Sequence, residues 1–486
     1  MRAVPIGLVT LFITVTRGTA AGQIPPSEYA ARRDALAAEI DSGVVVAFGA
    51  TEPVALWRPF RQLPAFRYLT RFDEPDAVLV LVKRAGTVTG YVFTQPVDPR
   101  YQLYVGIPAD SASIARATGL ARRSRSALRP MLDSLARAGL PLYTLRDFAS
   151  TDFADEDSLT PGATFVDAFR KDHPRLVVRD AHPIVDRLRA RKSPRELDLI
   201  RQAVAITDDA HRAAMAAIRS GVSERDVQGV IEKTFLDGGA EGPSFVSIIG
   251  SGPNATTLHY MRNDRTMEAG DVVVMDIGAS YEGYAADITR TVPVDGRFSP
   301  DQRAIYQIVL DAQLAAERVA RVGAHASTWQ AAADSVIAAG LTRLGLIDAP
   351  TATFDAPWAP QCVGRSRLCR QFALFLPHGL GHGIGLEVHD PAMYYLDDRT
   401  FGDGDVFTIE PGIYVSPDVL KLLPDTPRNR AWIARVRPVI ERYAHIGVRI
   451  EDDYLVTSGG LERLSRAPRE IHEIEALMAA RRDVPD

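Results

Sequence analysis

The sequence predicts an α/β (α+β) chain: an N-terminal α/β domain over residues 25–182, then a larger helix-and-hairpin domain over 190–475. Three observations carry this. At 486 residues the chain exceeds what one hydrophobic core ordinarily organises. Early apolar runs without alternation, such as Ala77–Lys83 (AVLVLVK), read as strands buried on both faces of a sheet. From Ser193 onward, capped amphipathic helices come in pairs, and each pair precedes strands that carry acids.

Taken in order, residues 1–21 read as a secretory signal peptide. Arg2 supplies the positive start and Val4–Val15 (VPIGLVTLFITV) the apolar core. Gly18, Thr19, Ala20 and Ala21 supply small residues, with cleavage near Ala20 or Ala21. The run is too short to span a bilayer. No span is expected after its removal, and the mature chain is expected in a periplasm or outside the cell. Strands follow at Ser42–Gly49 (SGVVVAFG), Ala77–Lys83, Gly90–Thr94 and Arg175–Arg179, with helical patterning over Arg116–Ala138. The charged stretch Pro183–Glu196 ends this unit and reads as a solvated linker or helix face.

Ser193-Pro-Arg-Glu196 resembles an N-cap with Pro in the first turn and Glu at the third position. It opens a helix to about Ser220, and Ser223 caps a second to Gly238. Strands follow at Ser244–Gly250, Val272–Ile277 and Gly283–Val292. Helices at Pro300–Val322 and Thr328–Gly345, then strands at Val406–Tyr414 and Gly447–Val456, repeat the order. Two such halves would bring their acidic strands to one central sheet, with a site at the pseudo-twofold centre.

Composition excludes some classes. Hydrophobic residues at 46% and charged residues at 24% describe a globular protein. A net charge of −5 with mixed signs lacks the basic footprint of a nucleic-acid binder. The two cysteines, Cys362 and Cys369, are wrongly spaced for a zinc knuckle. In an exported chain a structural disulfide closing this short loop is expected.

The densest chemistry lies in Pro377–Asp390 (PHGLGHGIGLEVHD). It holds His378, His382 and His389, three of the chain's ten histidines, among glycines that allow tight turns. Four acids elsewhere, Asp276, Asp287, Glu410 and Glu451, each interrupt an apolar strand. A carboxylate there is costly unless paired or metal-bound. Four together would repel one another, so divalent cations are the natural neutraliser. Four carboxylates and one imidazole suffice for two ions. The oxygen-rich set favours Mn²⁺, with Co²⁺ or Zn²⁺ as the other candidates.

The motifs TLHY at Thr257–Tyr260, MDIGASYEGYAADITRT at Met275–Thr291, HGLGHGIGLEVHD, TIEPGIY at Thr408–Tyr414 and VRIEDDYLVT at Val448–Thr457 occur in a set order. Together they resemble the pita-bread metallopeptidases, in the branch with an N-terminal domain: Xaa-Pro aminopeptidases (aminopeptidase P) and prolidases. Upstream, Phe60–Leu81 (FRQLPAFRYLTRFDEPDAVLVL) resembles that branch's N-terminal domain. The resemblance covers nearly all of the mature chain.

The resemblance implies five metal ligands. Asp276 would chelate one ion, Asp287 and Glu451 would bridge both, and His382 and Glu410 would bind the other. A bridging hydroxide would attack the scissile carbonyl, with Glu410 as proton acceptor. His259, His378 and His389 would line the substrate side, Arg449 would orient a ligand carboxylate or hold the acidic network, and Tyr414 would sit beside the site. Asp452 and Asp453 read as fold or surface acids. The implied substrates are peptides with proline at the second position, and a homo-oligomer, dimer or tetramer, is expected.

Other readings share the fold. A prolidase restricted to Xaa-Pro dipeptides differs only in the depth of its pocket. A creatinase-like metal-free hydrolase would not keep all five ligands, and a methionine aminopeptidase would lack the N-terminal domain. A non-catalytic peptide-binding domain would not need the metal. Two stretches depart from the family pattern. Asp348–Gln371 and Ser416–Ile446 read as insertions beside the site that could cap its mouth. Pro424, Pro427 and Pro438 make much of the second loop-like.

Overall fold

A computed structural model describes residues 23–52, 60–96, 99–100, 102–107, 109–145, 161–358, 366–396 and 399–480. The expected signal peptide and Cys362 lie outside the described residues. Cys369 is disulfide-bonded, and Cys362 is the one other cysteine of the chain.

The first unit is built on β1 (Gly43–Phe48), β2 (Val78–Arg84), β3 (Thr87–Thr94), β4 (Ala121–Ser124), β5 (Leu142–Thr144) and β6 (Val178–Asp180), in the order β4-β3-β2-β1-β5-β6. β1 is buried throughout. Its Val45 and Ala47 enter one core with Leu36 and Phe66, while Val44, Val46 and Phe48 enter another with Leu128 and Phe169. Helices cover both faces, which is why the run does not alternate. The helical patterning over Arg116–Ala138 resolves into parts of two helices. A helix over Ser111–Thr118 ends at Gly119 in the left-handed conformation (φ 69°), β4 intervenes, and a second helix spans Leu128–Arg137.

The connection between the units is helical and only partly solvated: Arg187, Arg191 and Arg195 are exposed. Helix His182–Ala190 leads into helix Pro194–Ala217, which opens with a complete Ser193/Glu196 capping box. Arg189, Lys192 and Glu196 of the charged stretch are buried. Each is paired with an opposite charge, the condition under which burial is tolerated.

The second unit contains β7 (Gly242–Pro243), β8 (Ile248–Ser251), β9 (Val272–Ile277), β10 (Ala279–Tyr281), β11 (Tyr284–Ala285), β12 (Ile288–Pro293), β13 (Val406–Ile409), β14 (Gly412–Val415), β15 (Ile446–Arg449), β16 (Asp452–Thr457) and β17 (Gly460–Arg463). They form ladders β12-β9-β8, β13-β16-β17 and β14-β15. Helix pairs precede each half: Pro194–Ala217 with Glu224–Asp237, and Pro300–Glu317 with Ala326–Leu344. The halves meet where Thr289 pairs with Glu451, through Glu451 N–H to Thr289 O at 3.1 Å and Thr289 N–H to Glu451 O at 3.3 Å. That junction is the expected pseudo-twofold centre.

Three expected strands are each broken at their acid. Gly283–Val292 divides around Asp287, Val406–Tyr414 around Glu410-Pro411, and Gly447–Val456 around Ile450-Glu451. Only Asp276 lies within a regular strand, opposite Thr289. The breaks turn the carboxylates out of the ladders toward one point.

Arg290 fastens the two halves from behind. Fully buried, it donates to Asp452 Oδ1 at 2.6 Å, Glu451 O at 2.7 Å, Ala467 O at 2.8 Å and Pro468 O at 2.9 Å. Asp452 is therefore a fold acid, as is Asp453, which is buried and accepts the Asp287 N–H at 3.1 Å. Arg290→Met removes the nearest cation of buried Asp452, leaving Arg469 at 3.4 Å and Arg463 at 3.8 Å on its other oxygen, and is expected to cost about 3 kcal/mol, read from denaturant midpoints of the metal-loaded protein.

The second insertion is not loop-like. Pro427 takes the first position of a helix over Pro427–Arg442, capped by Thr426 and with Pro438 inside it. The two insertions pack on each other: Thr426 Oγ1 donates to Asp355 Oδ2 at 2.6 Å, Asn429 Nδ2 donates to Asp355 O at 2.8 Å, and the Phe354 and Trp432 rings lie 5.5 Å apart. No described residue of either insertion lines the active cavity, so the expected cap over its mouth is not formed by them. Among the described residues, no helix is long and apolar enough to cross a membrane.

Candidate metal centre

The histidine segment reaches the acids by running beside β13. Thr408 N–H donates to His382 O at 2.9 Å, Glu410 N–H to Leu380 O at 2.8 Å, and Ile384 N–H to Val406 O at 3.1 Å. A Cβ on Gly381 would lie 2.0 Å from Thr408 O, so this approach requires glycine.

His382 Nδ1 lies 3.0 Å from Gly383 O. A carbonyl only accepts, so Nδ1 carries the proton and Nε2 presents a lone pair. That lone pair faces Glu410 Oε1 at 3.5 Å, Asp287 Oδ2 at 3.6 Å and Glu451 Oε1 at 3.9 Å. Ligand atoms of Asp287, His382 and Glu451 all fall within 4.8 Å of one another. Asp276 Oδ1, Asp287 Oδ1 and Glu451 Oε1 are buried and make no hydrogen bond. Carboxylates of Asp287, Glu410 and Glu451 facing an imidazole lone pair, with orphaned oxygens on Asp276, Asp287 and Glu451 in the same cavity, are a donor set for divalent cations, and the residues fit the group the motifs imply.

The electrostatics agree. Burial, then the charges of Glu451 and Asp276, raise Asp287 well above the usual carboxylate range. Burial, then Glu410 and Asp276, do the same to Glu451. Burial, only partly opposed by Arg449, pushes Glu410 up to about 8. Burial, then His389, pushes His382 down to about 3, so the ring is neutral near pH 7. Without cations, the carboxylates hold protons in place of metal.

The other named residues surround this core. Arg449 ion-pairs with Asp276, donates through Nη1 to Tyr414 Oη at 2.9 Å and through Nε to Thr289 Oγ1 at 3.2 Å. Tyr414 Oη lies 2.9 Å from His378 Nε2, and His378 Nδ1 lies 2.7 Å from Gly379 O. The direction of the chain is thus fixed: arginine to tyrosine, tyrosine to histidine, histidine to carbonyl. His259, His378, His389, Arg449 and all five ligands line one cavity of about 870 Å³. Tyr414 is buried behind it. Arg61 and Arg67, from the first unit, join the lining.

Sequence reasoning missed Thr289, whose hydroxyl donates to Glu451 Oε2 at 2.6 Å. It also missed Asp453 as the support of Asp287. The signal for Thr289 was present: Asp287, Thr289 and Thr291 alternate and so share a strand face.

A carboxylate–imidazole donor set in an open cavity, at the junction of two pseudosymmetric halves, defines a metal-dependent hydrolase. Residues 198–458 match the model of metallopeptidase family M24, and residues 29–136 match the aminopeptidase P N-terminal domain. The chain belongs to metallopeptidase family M24. It is 33% identical over 473 residues to the Xaa-Pro aminopeptidase of Escherichia coli (strain K12), covering 95% of this chain and 99% of that protein. It is 35% identical over 425 residues to the Xaa-Pro aminopeptidase of Haemophilus influenzae, covering 86% and 89%. Zinc-substituted E. coli aminopeptidase P in complex with product superposes with a TM-score of 0.79 at 30% identity, covering 95% of this chain and all of that one. The fold is thus mixed α/β: an aminopeptidase P-type N-terminal domain and a pita-bread catalytic domain.

Proposed function

We propose that the chain is a metal-dependent Xaa-Pro aminopeptidase, which releases the first residue of a peptide whose second residue is proline, at a dinuclear centre. The convergence of the Asp287, Glu410 and Glu451 carboxylates on the His382 lone pair carries this reading. Asp276 and Asp287 would hold one ion, His382 and Glu410 the other, and Asp287 and Glu451 would belong to both. When bound, two divalent ions, manganese in this reading, supply a water of lowered pKa and polarise the scissile carbonyl.

The protein's own groups do the rest. Glu410, which gives up its proton when cations bind beside it, would then accept a proton from the attacking water. His259 and His389 are exposed to the cavity and can donate to the carbonyl oxygen as charge develops. His378 reaches substrate only by exchanging Gly379 or Tyr414 as its partner. Arg449, braced by Thr289 and Tyr414, keeps Asp276 in place. The X-Pro amide has no N–H, so a site that accepts it does not depend on that donor. The reading includes an exported mature chain and a homo-oligomer.

The test is hydrolysis of Gly-Pro and Arg-Pro-Pro by the mature chain, with Mn²⁺ and after chelation. Metal-dependent release of arginine from the tripeptide is expected. Cleavage of the dipeptide alone would make the protein a prolidase. Cleavage of neither, with metal bound, would leave a different amide substrate or a peptide-binding role.

A further inference from the structure

The turn that carries His389 is held by the connection between the two units. Arg189 ends the helix His182–Ala190, and its Nη2 lies 2.5 Å from Glu387 Oε2 and 2.5 Å from Asp390 Oδ1. Lys192 Nζ donates to Asp390 Oδ2 at 2.8 Å, to Arg189 O at 2.8 Å and to Pro391 O at 3.3 Å. Asp390 Oδ1 also accepts the Glu387 N–H at 3.1 Å. The Arg189 and Lys192 side chains are 3% and 1% exposed, so these are desolvated, charge-assisted bonds.

The gripped carboxylates lie two residues before and one residue after His389. Asp390 N–H donates to Gly383 O at 3.0 Å and closes the turn onto His382, whose ring centroid lies 4.1 Å from that of His389. The first unit grips the same connection: Tyr68 Oη donates to Leu188 O at 3.1 Å, and Arg32 pairs with Glu196 at 3.3 Å. Leu386, in the same turn, packs against cores of both units.

Stability alone does not account for this cluster. Buried ion pairs are often matched or bettered by apolar side chains of similar volume. What apolar packing does not supply is direction, and here several short bonds fix two positions that bracket one side chain. We propose that Arg189 is a positioning residue for the reaction: by clamping Glu387 and Asp390 it sets the His389 ring against His382 and toward the cavity. This rests on the substrate-side role given to His389 above.

The test is a double-mutant cycle on the full manganese-loaded chain, measuring kcat and KM for Arg-Pro-Pro. Its members are wild type, Arg189→Lys, His389→Ala and the double variant. Lysine keeps the charge and reaches one carboxylate. Arg189→Lys is expected to lower kcat about tenfold with KM changed less than about twofold. Metal stoichiometry and Tm should stay near wild type. In the His389→Ala background the same change should cost nothing further. A further tenfold loss there, a wild-type kcat in Arg189→Lys, or a kcat loss that follows metal stoichiometry overturns the proposal. Full activity in His389→Ala would overturn the role of His389, and this inference with it. Should Arg189→Lys fail to fold, Glu387→Gln removes one arm and leaves Asp390 clamped. It should give a smaller kcat loss that also vanishes without His389, and an additive loss overturns the clamp.

Discussion

Asp287→Ala is expected to lower kcat on an Xaa-Pro peptide by on the order of a thousandfold, and to do so without unfolding the protein. Asp287 is 5% exposed, and one of its oxygens has no partner. Its charged form is opposed by burial and by Glu451 and Asp276. Removing it therefore relieves the metal-free protein, whose Tm should hold or rise. The support it loses is small, because Asp287 is held at its backbone N–H, which alanine keeps. Bound manganese per chain should fall, and with it the Tm increment that manganese gives. This opposition of signs separates a ligand from a structural acid. Full activity in the variant would sink the dinuclear reading.

Manganese is expected to stabilise the protein more at pH 8 than at pH 5. The sign follows from Glu410. Its folded pKa of about 8 exceeds an ordinary value near 4.5. In the metal-free protein its contribution is thus fully present below about 4.5 and is lost as pH rises through about 8. Asp287 and Glu451 shift in the same direction. His382 runs the other way: lowered to about 3 from 6.5, it contributes stability above 6.5 that is lost as pH falls through about 3. Between pH 5 and 8 the imidazole is already neutral, so the protons that metal must displace come from the carboxyls. Thermal unfolding with and without Mn²⁺ across that range, with calorimetry in two buffers to count released protons, checks this. A pH-independent increment would contradict the carboxylate cluster as the binding site.

The four candidate acids were legible in the sequence because each interrupts an apolar strand, whereas His382 was singled out from its neighbouring histidines only by the resemblance. Asp276 stands in VVVMDIG, and Glu410 in VFTIEPG. The strand breaks at Asp287 and Glu451 were not legible, since alternation on both sides continues across them. At Glu410 the following Pro411 was a usable signal, because proline donates nothing to a ladder. The burial of Arg189 and Lys192 was illegible for another reason. Their partner Asp390 lies about 200 residues away, and a charge paired at that distance looks locally like a charge in water. Helix Pro427–Arg442 was missed because its prolines were counted rather than placed: one occupies the first helical position, where its missing N–H costs nothing.

The mutual packing of the two insertions bears on how the chain can be shortened. Phe354 and Trp432 cover each other, Asp355 is satisfied by Thr426 and Asn429, and Asp348 pairs with Arg435 at 2.8 Å. Neither segment would keep its apolar side covered or its buried polar groups bonded without the other. They therefore form one structural module. A variant from which one segment is deleted would expose the aromatic face of the other, so the two have to be removed or exchanged together.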